Sequence, residues 1–228
     1  MEGRLFTFLG SIGGHGQEWI ILSHFVLVVG IIILISRAAT RKMQLVPTGT
    51  QNLMETFIGG IISMGADTMG EENARRYLPL IGSLALVIFF SNMMGIVPGF
   101  ESPTANFNFT LSLALIVFVY YNYLGIKKNG FVPYFKHFMG PMPILAPLMF
   151  PIEIISHISR IISLSFRLFG SIKGDDMFAM VLLMLVPWIL PITGFFMLFA
   201  FGFLQAFIFS ILTYVYIAGS IMMEHEDH

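Results

Sequence analysis

Long runs without a charged residue alternate with short polar, basic breaks along this chain, and that pattern predicts an all-α integral membrane protein. Residues 19–36 are apolar apart from His24, long enough to span, since about 20 residues rising 1.5 Å each cross a hydrocarbon core of about 30 Å. Residues 77–97 and 107–126 hold no charge at all. From Met177 to Met223 there is again no Asp, Glu, Lys or Arg. As one helix that stretch would reach about 70 Å, roughly twice the core, so it must fold back on itself. Pro187, Pro191, Thr193 and Gly194 supply the break, predicting a helical hairpin with arms over 148–186 and 192–223 and its tip near 187–193. The stretch 50–69 reads differently. Leu53, Met54, Phe57, Ile58, Ile61 and Ile62 form a stripe at helical spacing, interrupted by Glu55, Gly59, Gly60 and Asp67, which fits an amphipathic helix lying in the interface. The expectation is one membrane domain, 1–228, with five crossings and one interfacial helix. An N-terminal segment (1–18), a polar linker (127–147) and a tail (224–228) complete it. The arm running from Glu153 to the tip would be about 50 Å long, so the hairpin is expected to be strongly tilted.

Composition supports this reading. The chain is 56% hydrophobic and 11% charged, with a mean hydropathy of +0.83, against about 25% charged residues in soluble domains. A net charge of -1 gives no reason to expect nucleic acid as a partner; membrane lipid is the expected surround. With no cysteine there is no disulfide framework, iron–sulfur cluster or thiol nucleophile. The first residues lack a basic region followed by an apolar core and a cleavage site, so no signal peptide is expected. No fixed-period repeat, phosphate loop, nucleophile elbow, haem motif or zinc motif is visible, and no cofactor or metal is expected. Arg37, Arg41, Lys42, Arg75, Arg76, Lys127, Lys128 and Lys136 all fall in breaks that share one side, which the positive-inside rule makes cytoplasmic. The N-terminus and the loop at Glu101 are then outside and the C-terminus inside, with Arg4 the mild exception.

The chemistry concentrates in residues 151–176. Glu153, His157, Arg160, Arg167 and Ser171 follow one another by 4, 3, 7 and 4 positions, which keeps all five on one helical face. A charge at mid-bilayer costs about 2.5–3.5 kcal/mol on insertion scales, so such residues face a partner or an aqueous path. Arg167 keeps its proton at any physiological pH and therefore holds a fixed positive charge rather than passing protons. Its helical neighbours are an Arg, a His and a distant Glu, which points to a counter-charge from another subunit. Folding the hairpin about residue 186 sets Arg167 opposite Gln205 and sends Asp176 outward and Glu153 inward. Glu153 has two readings, an i,i+4 pair with His157 or the lining of a water path. Asp176 likewise either relays protons or is balanced by Lys173, three residues before it. Asn92, Thr104, Asn106 and Asn108 cluster near the outer loop, with turn capping the favoured role for the last two. His24 reads as a packing residue, and the tail from Glu224 to His228 as a polar end rather than a metal site.

Four segments carry a resemblance: LSFRLFGS at 164–171, LQAFIF at 204–209, VPTGTQNLMETFI at 46–58 and SNMMGIVP at 91–98. From about residue 19 to its end the chain resembles subunit a of the F-type ATP synthases. The resemblance implies no enzyme by itself but a stator subunit against a rotating ring of c subunits, with peripheral-stalk b subunits as further partners, in a bacterial inner membrane, and H+ as the ion. Two offset half-channels would serve a carboxylate on each c subunit. It gives Arg167 the role of discharging ring carboxylates and blocking leak, with Gln205 as its neighbour. Glu153 falls to the inner half-channel, and Asp176 and Asn92 to the outer one. Two positions depart from the pattern: Ser171 stands where the family often has Asn, and Leu198 where some members place a His to partner the outer acid. The rival reading is a proton-coupled secondary transporter whose buried arginine binds an anion, for which an internal repeat and broken helices would be expected. A passive scaffold would leave the polar face unexplained.

Overall fold

The computed structural model describes residues 17–41, 43–97, 99–131, 133–134, 146–185 and 190–221, and among these six long α-helices and one short 3-10 turn supply most of the regular structure. The helices are α1 (Gln17–Thr40), α2 (Thr50–Met69), α3 (Glu71–Ile96), α4 (Phe107–Asn129), α5 (Ala146–Leu185) and α6 (Leu190–Ile221), with the turn Pro103–Ala105 between α3 and α4. Five of them, all but α2, contain a stretch long and apolar enough to cross a membrane. The described residues contain no strand.

The helix boundaries follow from local chemistry. Gly70 sits at φ 83° between α2 and α3, a left-handed conformation that costs other residues strain. Its N–H closes α2 on the Ala66 carbonyl at 2.9 Å. Asn106 caps α4, its side chain accepting from the Asn108 N–H at 2.9 Å, so the capping role expected for Asn106 is met. At the far end of α4, Lys128 Nζ and Asn129 Nδ2 donate to the carbonyls of Ile221 and Ser220 at 3.2 and 3.1 Å. They satisfy the open acceptors at the end of α6.

The hub is α6, which packs against α2, α3, α4 and α5, whereas α1 lies at the margin against α2 and α3. Small residues allow the helices to approach closely. A Cβ on Gly65 would lie 2.6 Å from the Tyr214 ring, and the Tyr214 hydroxyl donates to the Ala74 carbonyl at 3.2 Å. Phe57, Phe203 and Phe207 form edge and tilted ring pairs that fasten α2 to α6.

Three expectations change. α3 begins at Glu71, so Arg75 and Arg76 belong to a helix rather than a break, and Arg75 pairs with Glu71 at 2.8 Å. α6 already begins at Leu190, so Pro191, Thr193 and Gly194 lie inside its first turns; proline is tolerated there because that N–H has no intrahelical acceptor. Pro187, Lys136, His137 and the tail 224–228 lie outside the described residues. On α2, Met54, Phe57 and Ile61 are buried against protein while Leu53 is 65% exposed, so the stripe is narrower than the hydrophobic pattern implies.

Candidate functional site

α5 carries the candidate residues on the flank of its packing face. His157, Leu164, Ser165, Leu168 and Ile172 are buried, on a helix that packs against α4 and α6. At about 100° per residue, Glu153, Arg160, Arg167 and Ser171 run along one side of that buried stripe. Arg167 is exposed, and among the described residues it makes no ion pair. Leu164 and Leu168 anchor the helix on either side of it. Ser165 Oγ meets Thr110 Oγ1 at 3.3 Å and ties α5 to α4. Ser171 turns its hydroxyl back to the Leu168 carbonyl at 3.0 Å. Gln205 on α6 is buried, and its Nε2 finds no hydrogen-bond partner among the described residues. A donor left unmade in a protein interior costs about 1–3 kcal/mol. No hydrogen bond joins Arg167 to Gln205 among the described residues.

Toward the N-terminal end of α5, Glu153 and His157 come together: Nε2 of the imidazole lies 3.4 Å from Glu153 Oε1. The imidazole is stacked on the Tyr121 ring of α4, 5.7 Å between centroids and 27° between planes. Its Nδ1 is 2.8 Å from the Tyr121 hydroxyl. Arg160 lies over the Tyr216 ring of α6 at 5.4 Å. Beyond the end of α4, Tyr134 donates to Asn122 Oδ1 at 2.7 Å. Burial pushes its phenol above the ordinary range, with Arg160 pulling it down and Glu153 pushing it up.

Toward the other end, Asn92, Ser102, Asp175, Asp176, Leu198 and Gly202 line a small cavity, with about 20 Å³ open to a water-sized sphere. That is room for about one water molecule. Asn92 is held on both sides. Its Nδ2 donates to the Gly202 carbonyl at 3.2 Å and its Oδ1 accepts from Thr104 at 2.7 Å. Ser102 Oγ lies 2.6 Å from Thr104 Oγ1 and 2.8 Å from the Ser91 carbonyl. With one proton per hydroxyl, Thr104 donates to Asn92 and Ser102 divides its proton between the other two acceptors. Gly202 makes this approach possible, since a Cβ there would lie 3.2 Å from Asn92 Cβ. Lys173 Nζ is 3.9 Å from Asp176 Oδ2, both about half exposed, a weak pair in such a setting. His24 is buried as a packing residue, its Nδ1 at 2.6 Å from the Ile20 carbonyl and its ring edge-on to Phe100. Asn108 is exposed, and its backbone N–H rather than its side chain completes the cap.

The structure thus gathers Asn92 with Asp176, and Glu153 with His157, while Arg167 stands between the two groups along α5. Reasoning from sequence missed Tyr121, Ser102 and Gly202, and gave Asp175 no role. The doublet Asp175–Asp176 was a visible signal. Tyr121 and Gly202 gave none, because their partners lie far away in the chain.

These features define a polytopic helical membrane protein with most of its candidate ionisable residues gathered on one helix, α5. The comparisons make the class specific. Residues 21–218 match the family described as ATP synthase A chain. The chain is 85% identical over 228 residues to ATP synthase subunit a of Aliarcobacter butzleri (strain RM4018), covering 100% of both chains. It is 57% identical over 227 residues to the protein of that name from a Nitratiruptor species, again covering 100% of both. With its counterpart in Campylobacter jejuni (strain RM1221) identity is 61% over 206 residues, 90% of this chain and 91% of the relative. The chain belongs to the ATP synthase A chain family, and it is an integral membrane protein.

Proposed function

We propose that this chain is the proton-translocating stator subunit of an ATP synthase membrane sector, working with a ring of c subunits and held by peripheral-stalk b subunits rather than catalysing a reaction alone. The observation that carries the reading is Arg167, an exposed cation on a membrane-length helix with no ion pair among the described residues. Such a charge calls for an anionic partner from outside the chain. A ring carboxylate must be neutral in lipid, whereas beside the guanidinium its anion is favoured. Each ring site therefore unloads its proton on reaching Arg167 and reloads before returning to lipid. Separate access from the two sides converts that exchange into directional rotation, and the fixed positive charge repels protons from a direct path between them.

With the basic breaks on the cytoplasmic side of a bacterial inner membrane, the cavity at Asn92 and Asp176 belongs to the outer half-channel. Glu153 with His157 belongs to the inner one, and Gln205 and Ser171 flank the exchange point. Leu198 lines the outer cavity, so Asp176 works there without a histidine at that position; Asp175, the Asn92 amide and the Ser102 hydroxyl share the cavity with it, and Lys173 lies 3.9 Å away. Family membership displaces the secondary-transporter reading.

The test is Arg167→Ala in membranes holding normal amounts of assembled complex. Coupled ATP synthesis and ATP-driven proton pumping are both expected to vanish; substantial coupled pumping would refute the reading.

A further inference from the structure

We propose that Tyr121 is a positioning residue for the inner half-channel, its hydroxyl fixing the His157 imidazole so that Nε2 faces Glu153 and keeps that carboxylate ready to accept a proton. The inference rests on the assignment of Glu153 to the inner path. The three side chains form a line across two helices: the Tyr121 hydroxyl is 2.8 Å from His157 Nδ1, and His157 Nε2 is 3.4 Å from Glu153 Oε1. Tyr121 and His157 are buried, whereas Glu153 keeps about a third of its side chain open. The line therefore runs from the packed core to a carboxylate at the surface of the chain.

An imidazole has two edges, and which nitrogen carries the proton depends on what the other one meets. A phenol donating to Nδ1 leaves the neutral ring with its proton on Nε2. That proton then sits on the nitrogen 3.4 Å from Glu153 Oε1, and a positive N–H edge so close to a carboxylate favours the anion. Without the hydroxyl, the tautomer carrying its proton on Nδ1 is free to form, and Nε2 then presents a lone pair to the carboxylate, which disfavours the anion. Tyr121 acts through His157 and does not itself move the proton. The other titratable or charged groups around the imidazole are Arg160 on its own helix, Tyr216 on α6 beyond the Tyr121 ring, and Tyr134 past the end of α4. None of them supplies the 2.8 Å contact to Nδ1.

Tyr121→Phe removes the hydroxyl and keeps the stacked ring. The measurement is passive proton conduction through the complete membrane sector, in inverted vesicles stripped of the catalytic head, as a function of pH on the cytoplasmic face. Loss of one hydrogen-bond donor to a charged group is expected to move the half-maximal pH upward by about one pH unit. At the wild-type midpoint pH itself, a shift of that size lowers the flux about five-fold. On a His157→Leu background the same change should move nothing further, because the two residues act as one unit. A uniform loss of flux at every pH, with the midpoint unmoved, would show a packing role only and overturn the proposal. Glu153→Gln is the separate arm for the underlying reading. If Glu153→Gln lowers flux while Tyr121→Phe leaves the pH profile unchanged, the Tyr121 inference alone fails. If Glu153→Gln also leaves flux unchanged, both fail.

Discussion

The two arms of the C-terminal hairpin, α5 and α6, are built from opposite materials. α6 carries no Asp, Glu, Lys or Arg, yet it is the hub that packs on four other helices, burying Gln205, Ala206, Phe209, Ser210, Thr213, Tyr214 and Ile217. α5 carries Glu153, Arg160, Arg167, Lys173, Asp175 and Asp176, yet leaves Ile155, Ile162, Phe166 and Met177 largely uncovered. Exposed apolar side chains such as those on α5 cost little here, because lipid solvates apolar faces as well as protein does. α6 supplies close approach through small residues and satisfies its own hydroxyls: Ser210 and Thr213 donate to carbonyls one turn back, each at 2.8 Å. α5 supplies the polar flank and leaves it open to a partner.

The contrast can be broken from either arm. The largest effect is expected from Arg167→Lys on α5, which keeps the charge but loses the planar fork of donors. ATP synthesis in assembled membranes should fall nearly as far as with Arg167→Ala, and a variant retaining most activity would show that a point charge suffices. Next comes Gly202→Val on α6. A side chain there would meet Asn92 and Met93 at 3.2 and 3.1 Å, and overpacking of this kind costs about 1–3 kcal/mol. The change should lower the thermal stability of the complex and reduce proton flux together. Wild-type stability would mean that α3 gives way easily and that the close approach is unimportant. A smaller effect is expected from Asp176→Asn. Asp175, Asn92 and room for a water remain in the same cavity, so passive proton conduction should drop several-fold without being abolished. Unchanged flux at normal assembly would reduce Asp176 to the counter-charge of Lys173.

Much of this was legible from the order of residues. Uncharged runs bounded by bases predict the membrane helices, because a hydrocarbon core admits only segments that satisfy their own backbone. The polar flank of α5 follows from spacing alone. The partners of these residues were not legible. Thr104 was expected near Asn92, but nothing in the chain near His157 points to Tyr121 and nothing near Asn92 points to Gly202, since these contacts are set by how α4 packs on α5 and α6 on α3 rather than by local pattern. Pro191 reads as part of a break because a proline in an apolar run signals either an interruption or a helix start. The neighbouring Pro187 tips that choice toward the interruption, whereas the structure starts a helix there.

The claim at the centre of this account is that the open flank of α5, and not the packed face of α6, meets the rotor. Because the chain has no cysteine, one placed at Ser163 stands alone. Ser163 is exposed one helical turn before Arg167, on the same side of α5. Paired with a cysteine on the c subunit beside its carboxylate and mildly oxidised, it should give a cross-linked product of the two subunits, since a disulfide needs Cα atoms within about 7 Å. A cysteine at the buried Ser210 of α6 should give none. Absence of product at Ser163 in fully assembled complex, or product at Ser210 instead, would contradict the account.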